Sequence, residues 1–505
     1  MQVNLLLRSL IAIFVRINNC YVMSEIAGLE PRLVWEQFDA ITQVPRPSKK
    51  EGRIIEFLVA FAKQHQLEYK KDGVGNVVIR KPATPGFEER PAVILQSHMD
   101  MVCEKNSDVE FDFDNDPIRA YIADGWVRAE GTTLGADCGI GMAAALAVLI
   151  DPQAQHAPLE ALFTVDEETG LTGAFELGEG MLQGKYLLNL DSEDEGELFI
   201  GCAGGIDTIA TFTCSMEEAP KNYSFFRVDV SDLLGGHSGD DIDKGRVNSN
   251  KTVARLLWGG MQSCELRLSY FSGGNLRNAI PREAYAIFGV PTRLKKDFEK
   301  RYELFAADLE AEFRLREPNF RITLNEMPQV AEVLDARSQF ALIYSLVGVP
   351  NGVVAMSAAV PGLVETSTNL ASVKFAGENK IVVTSSQRSS VESAKTYVMQ
   401  MVESVFALAG ADVVHSDGYP GWTPDPKSRL LAVTADAYRR LFGTEPKVRA
   451  IHAGLECGLF LEKYPDLEMV SFGPTLRGVH SPDERLEIAT VPKFWELLNE
   501  VLRTL

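Results

Sequence analysis

Histidine is scarce in this chain, seven among 505 residues, so the company each one keeps is informative. His98 lies in Leu95-Gln96-Ser97-His98-Met99-Asp100-Met101, at the end of an apolar run. Residues two apart on a strand share a face. Asp100 can therefore reach the His98 ring and fix its tautomer, as carboxylates do behind metal-bound imidazoles. A buried His–Asp pair without metal is the alternative. Asp137 lies in Leu134-Gly135-Ala136-Asp137-Cys138-Gly139-Ile140-Gly141, where glycines permit tight turns and close approach. It reads either as a helix N-cap or as a carboxylate bridging two cations.

The run Phe163-Thr164-Val165-Asp166-Glu167-Glu168-Thr169-Gly170 places three successive acids after an apolar strand. Such acids repel one another unless something positive neutralises them. Strand ends are also where α/β sheets build their sites. Leu188-Asn189-Leu190-Asp191-Ser192-Glu193-Asp194 repeats the pattern, and Gly478-Val479-His480-Ser481-Pro482-Asp483-Glu484 adds a second histidine near the C-terminus. Imidazole and carboxylate together suit Zn²⁺, and also Co²⁺ or Mn²⁺. A bridging Asp, with one His and one further carboxylate per ion, would build a two-metal site. Such a site clamps a carbonyl oxygen and acidifies water. One carboxylate must then stay unligated to take the proton.

These residues need rigid elements to hold them. Helical spacing of apolar residues over 31–45 and 51–67 is followed by strand-like runs at 75–80 and 92–96, an apolar helix over 139–150, and strands at 159–165 and 186–190. Helices alternating with fully apolar strands indicate an α/β fold with a mostly parallel sheet covered on both faces. The texture changes after about residue 205. Strands at 225–230, 265–271 and 284–290 alternate with helices over 247–261 and 295–313. A similar order recurs with a strand at 320–324, a helix over 332–347, strands at 352–358, 364–376 and 380–385, and a helix over 391–408. Two ferredoxin-like βαββαβ units in tandem account for this. The Pro/Gly-rich stretch 418–426 marks a boundary, and a helix (428–442), a strand (468–472) and a closing helix (492–504) return to the first domain. The expected division is 23–205 and 423–505 for a catalytic domain, with 206–422 inserted.

Composition sets the outer limits. Apolar residues make up 46% and charged residues 24%, the balance of a folded globular chain rather than a disordered one. The 50 Lys and Arg against 70 Asp and Glu leave a net charge of −20, which disfavours nucleic acid and anionic membrane as partners. The seven cysteines (Cys20, Cys103, Cys138, Cys202, Cys214, Cys264, Cys457) are odd in number and show no C-x-x-C spacing. They read as reduced thiols of a cytoplasmic protein. Residues 1–22 hold only a short apolar stretch with no small-residue cleavage site after it, and Met23 opens an ordinary segment. The expectation is a disordered tail or an over-extended start.

Taken in this order, the motifs resemble the dinuclear zinc peptidases that include peptidase T, carboxypeptidase G and the aminoacylases, and among them the aminoacyl-histidine dipeptidases. The resemblance runs from about residue 23 to 505. It implies two Zn²⁺ per subunit. His98 and Asp191 would hold one, with Asp100 orienting His98. Glu168 and His480 would hold the other. Asp137 would bridge both, through a cis peptide to Cys138, and Glu167 would be the general base and acid. The insertion would be a lid and dimerisation domain. In Leu234-Gly235-Gly236-His237-Ser238-Gly239, His237 resembles the histidine that steadies a developing oxyanion. Asn275 in Gly273-Gly274-Asn275-Leu276-Arg277-Asn278 resembles a substrate-binding asparagine, and Arg388 in Ser386-Gln387-Arg388-Ser389 the arginine that takes a substrate carboxylate. His452, Gly454 and Glu456 fall where relatives place a substrate loop. The implied activity is hydrolysis of dipeptides, with X-His favoured, by a homodimer. An aminoacylase or carboxypeptidase on the same scaffold, and a metal-dependent binding protein without catalysis, are the competing readings.

Overall fold

The computed structural model describes residues 24–377 and 379–505. The extension expected at 1–22, with Cys20, lies outside them. The chain forms two compact units. The first comprises residues up to Phe199 together with Lys427–Val448 and Tyr464–Leu505. The second comprises Ile200–Pro426 and Arg449–Lys463. Arg449–Lys463 thus groups with the second unit rather than with the C-terminal segment around it. Backbone pairing explains this, since the Ala203 N–H donates to the carbonyls of Ile451 and Ala453.

In the first unit a sheet runs in the order Glu68–Lys71, Val77–Lys81, Leu159–Thr164, Val93–His98, Tyr186–Asn189 and Glu468–Ser471, with the start of the strand Glu197–Cys202 beside the last. Only its centre is parallel: Leu159–Thr164, Val93–His98, Tyr186–Asn189 and Glu468–Ser471 run the same way. Toward the edges the pairing turns antiparallel, so the sheet is mixed and not mostly parallel. Val93–His98, Leu159–Thr164 and Tyr186–Asn189 are buried along their whole length, as suits central parallel strands of mainly apolar sequence, and their polar members Gln96, Glu160 and Asn189 are buried with them. Their register sets His98 opposite Thr164 and Gln96 opposite Asn189. Parallel strands in that register deliver their C-terminal ends, and the acids that follow, to one edge of the sheet.

The helix Ala136–Ile150 is apolar on all sides and buried almost throughout, packed against the strand Val93–His98 and the helix Arg32–Thr42. A small antiparallel sheet, in the order Leu476–Arg477, Arg485–Glu487, Trp126–Ala129 and Ala120–Ala123, makes 478–484 the loop of a hairpin. His480 rides on that loop with φ 61°.

The second unit is built on a nine-stranded antiparallel sheet. One βαββαβ set consists of Tyr223–Ser231, helix Ser249–Cys264, Arg267–Gly273, Ala284–Pro291, helix Lys295–Phe313 and Arg321–Met327. Its strands lie in the order fourth, first, third, second. The second set has the same strand order but a different opening strand from the one expected. The segment at 320–324 closes the first set. The second set opens with Gly204–Thr213 and continues, after the whole first set, with helix Ala336–Gly348, Val364–Phe375, Lys380–Ser389, helix Glu392–Leu408 and Asp412–His415. The helix expected from 332 begins later. Glu332–Leu334 is a strand paired with Met216–Glu218, and Asp335 caps the helix by accepting the Ser338 N–H at 2.7 Å. Among the described residues no helix is long and apolar enough to cross a membrane.

Candidate metal centre

Three strand ends, the head of the helix Ala136–Ile150 and a hairpin of the first unit bring the candidate ligands together. His98 is 1% exposed. Its Nε2 lies 3.1 Å from Asp137 Oδ1 and 3.4 Å from Asp191 Oδ1. His480 Nε2 lies 3.2 Å from Asp137 Oδ2 and 3.0 Å from Glu168 Oε2. The Asp137 carboxylate thus faces one imidazole with each oxygen, and the Nε2 of each imidazole has one further carboxylate beside it. The Asp137–Cys138 peptide is cis.

Behind His98, its Nδ1 is 3.2 Å from the Asp100 carbonyl and 3.4 Å from the Asp100 carboxylate. Asp100 also accepts the backbone N–H groups of Glu167 at 3.0 Å and Glu168 at 3.3 Å, and the Ser48 hydroxyl at 2.7 Å. Burial works against its charge, but His98, Ser48 and the Glu167 N–H outweigh it and hold the carboxyl at about 2. Residue Asp166 takes the left-handed conformation at the turn, φ 49°, and its carboxylate accepts the hydroxyls of Thr169 and Thr172. Its N–H donates to buried Glu51 at 3.0 Å.

The charge balance is lopsided. Burial opposes ionisation of Asp137, yet the two imidazoles draw its carboxyl well below the ordinary range. Burial lifts Asp191 to about 6, against the pull of His98. Burial, with Asp137 and Asp191 nearby, lifts Glu193 to about 8. The Asp137 and Glu168 carboxylates push the His480 imidazole up to about 11. Carboxylates crowd this pocket beyond what two imidazolium ions neutralise. Glu168 Oε1 is buried with no hydrogen-bond partner among the described residues. A mixed imidazole and carboxylate set with an orphaned acceptor fits a pair of divalent ions, and binding them would displace the imidazole protons.

Several residues here carried no role in the sequence reading. Arg46 and Glu484 are buried and hold the loop that carries Asp137. The loop's glycines make that possible: a Cβ on Gly135 or Gly139 would meet the Arg46 guanidinium at 2.6 or 2.7 Å. Cys138 is buried, donates to the Leu190 carbonyl at 3.3 Å, and has its thiol pushed well up by burial beside Asp191.

In the second unit, His237 Nδ1 lies 3.3 Å from the Asp240 carboxylate. Arg388 is buried and donates to the Tyr419 hydroxyl at 3.1 Å, while its Nε has no partner among the described residues. His452 Nε2 lies 2.7 Å from the Ser367 hydroxyl, in hydrogen-bond contact. Burial and the neighbouring Arg388 push its imidazole down to about 4. Gly454 passes so close to the Tyr419 ring that a Cβ there would sit 2.8 Å from it. Glu456 is buried just before the helix Cys457–Lys463. Asn275 is exposed instead. It accepts Lys374 Nζ at 2.9 Å on the wall of a cavity of about 560 Å³ that Arg227, Asp229 and Tyr285 also line.

Comparison with known proteins accords with this geometry. The cytosol non-specific dipeptidase of Escherichia coli is 44% identical over 481 residues, 95% of this chain and 99% of that protein. The crystal structure of aminoacylhistidine dipeptidase from Vibrio alginolyticus superposes with a TM-score of 0.91 at 44% identity, covering 95% of this chain and 98% of that one. An aminopeptidase from Bacillus cereus shares the fold at a TM-score of 0.55 and 17% identity, over 94% of this chain and 98% of that one. Peptidase family M20/M25/M40 matches residues 94–504, and the chain belongs to that family.

Proposed function

We propose that this chain is a metallodipeptidase that hydrolyses dipeptides, X-His among them, with two Zn²⁺ ions for which Co²⁺ or Mn²⁺ can substitute. The observation that carries the reading is the Asp137 carboxylate, set between His98 and His480, each with its own second carboxylate. The dipeptidase names of the relatives at 44% identity support it. His98 and Asp191 would hold one ion, Glu168 and His480 the other, and Asp137 both. When bound, such a pair supplies an acidified water and a grip on the scissile carbonyl.

The chain's own residues do the rest. Glu167, its backbone fixed by Asp100, accepts a proton from the attacking water and passes it to the departing amine. His237 answers the negative charge that develops on the carbonyl oxygen. Arg388 takes the free C-terminal carboxylate, a task suited to a planar fork of donors, and thereby restricts substrates to short peptides. Asn275, His452, Gly454 and Glu456 complete the substrate contacts.

We also read the protein as a cytoplasmic homodimer joined through its second unit. The free cysteines support the compartment. Exposed Phe340, Tyr344, Val354 and Met356 on the second unit support the association.

The test is release of amino acids from β-Ala-His, Ala-His, Leu-Gly, a tripeptide and N-acetyl-His, with metal-loaded and chelated protein. Cleavage of the dipeptides alone, abolished by chelator, is the expected result. Release from N-acetyl-His alone would move the function to deacylation. Silence on every substrate with metal bound would leave a binding protein.

A further inference from the structure

Asp137 sits where the regular helix does not hold it. Asp137 (φ −81°, ψ 116°) and Cys138 (φ −95°, ψ 33°) both depart from helical geometry at the head of Ala136–Ile150. Two buried side chains from distant parts of the chain fix this loop instead. Glu484 is 2% exposed. Its Oε2 accepts the N–H groups of Leu134 at 2.7 Å and Gly135 at 2.9 Å, and its Oε1 those of Ala136 at 2.7 Å and Asp137 at 3.3 Å. Those four donors fill the acceptor sites of one carboxylate. Arg46, also 2% exposed, donates to the carbonyls of Met99 at 3.1 Å and Asp100 at 2.5 Å, and to that of Gly135. Arg46 therefore ties the loop to the strand end that carries His98, and Glu484 ties it to the hairpin that carries His480.

We propose that Glu484 is a positioning residue that sets Asp137 and His480 against each other and thereby governs retention of the ion on the His480 side. The proposal rests on the reading of this site as a two-metal centre. Glu484 closes the same hairpin loop as His480, and its N–H returns to the Ser481 carbonyl at 3.0 Å. Carboxylate and imidazole are thus parts of one short loop. Losing the four contacts frees two of the three side chains around the second position, Asp137 and His480, and leaves Glu168. Around the first position it frees only Asp137, because His98 stays on a strand end that Arg46 still holds and Asp191 follows a central strand. The loss of affinity is therefore unequal. A general loss of stability would weaken both positions alike.

The test is calorimetric Zn²⁺ titration of the chelator-stripped full-length protein, with bound Zn²⁺ counted after dialysis and the thermal midpoint of the stripped protein recorded alongside. Wild type is expected to bind two ions. Glu484→Gln, whose amide turns donors toward donors, should keep one ion near wild-type affinity and hold the other at least about tenfold more weakly, the scale seen when groups behind metal ligands are changed. Should Glu484→Gln fail to fold, Glu484→Asp retains the charge but is too short to reach all four N–H groups, and should loosen the same single ion less. Both ions held as in wild type would overturn the proposal. So would both loosening together in step with the thermal midpoint. A wild-type protein that takes up no Zn²⁺ would overturn the metal reading itself, and this is a distinct result.

Discussion

The Asp100 carboxylate accepts the backbone N–H of Glu167 at 3.0 Å while lying 3.4 Å from the ring of His98. One side chain thus fixes an imidazole and the turn that presents two glutamates. In the proposed function those glutamates have different tasks, proton transfer for Glu167 and metal binding for Glu168. Their separation depends on the turn, because consecutive residues otherwise diverge freely.

Replacing Asp100 by Asn removes acceptor capacity from a group that serves His98, Ser48, Glu167 and Glu168 together. An amide carries a single acceptor oxygen, so at least one of these contacts is lost. We expect Zn²⁺ affinity or turnover to fall by about 10–100-fold. Titration of the stripped variant and steady-state kinetics at saturating Zn²⁺ separate the two. A variant equal to wild type in both would remove Asp100 from the site.

Glu167→Gln keeps the backbone N–H that Asp100 accepts. The turn and Glu168 should therefore stay in place and both ions should remain. Only the proton acceptor is gone, and general base catalysis is worth about 100- to 10,000-fold. Turnover should drop by that factor with metal content unchanged by elemental analysis. Near-full turnover would sink the general-base assignment.

The segments bearing His98, Glu168 and Asp191 stand out in the sequence because each ends an apolar run with a histidine or acids, as at Val93–His98 and Tyr186–Asn189. A buried parallel strand writes itself as an unbroken apolar run, and its C-terminal end is a natural place for a site. What lay between distant segments was not legible. Nothing around Arg46 in Pro45-Arg46-Pro47 signals a guanidinium buried beneath the Asp137 loop. Glu484 is separated from its partner Leu134 by 350 residues. The second unit shows the same limit. Gly204–Thr213 is the opening strand of a βαββαβ set whose helix begins at Ala336, because another complete set is threaded between them. Reading the elements consecutively assigns 320–324 to the wrong set.

Arg388 lies in the strand Lys380–Ser389, buried, with its Nη1 on the Tyr419 hydroxyl. In the proposed function it takes the substrate carboxylate. Arg388→Ala should then raise KM about tenfold or more for free dipeptides, since a hydrogen bond to a charged group contributes roughly 1.5–3 kcal/mol. Tyr419→Phe removes only the partner that steadies the guanidinium and should raise KM less. Comparing Ala-His with its C-terminal amide is the check. If both substrates suffer equally, Arg388 does not read the carboxylate.

His452 supplies the pH signature of the second unit. Burial, followed by the Arg388 guanidinium, pushes its imidazole down to about 4 from an ordinary 6.5, and the neutral ring shares a hydrogen bond with the Ser367 hydroxyl. Between these values the unfolded chain binds a proton that the folded chain refuses. The stability tied to His452 is therefore complete above 6.5 and is lost as pH falls toward 4, on the order of 3 kcal/mol in all. Acid unfolding followed by denaturant midpoints from pH 7 to pH 4 should be steeper in wild type than in His452→Gln, which has no proton to gain. The ring resonances of His452 should stay those of a neutral imidazole down to about 4. A midpoint near 6.5 in that titration would mean that Arg388 and burial do not act on His452 as the geometry requires, and the steeper acid limb would vanish with it.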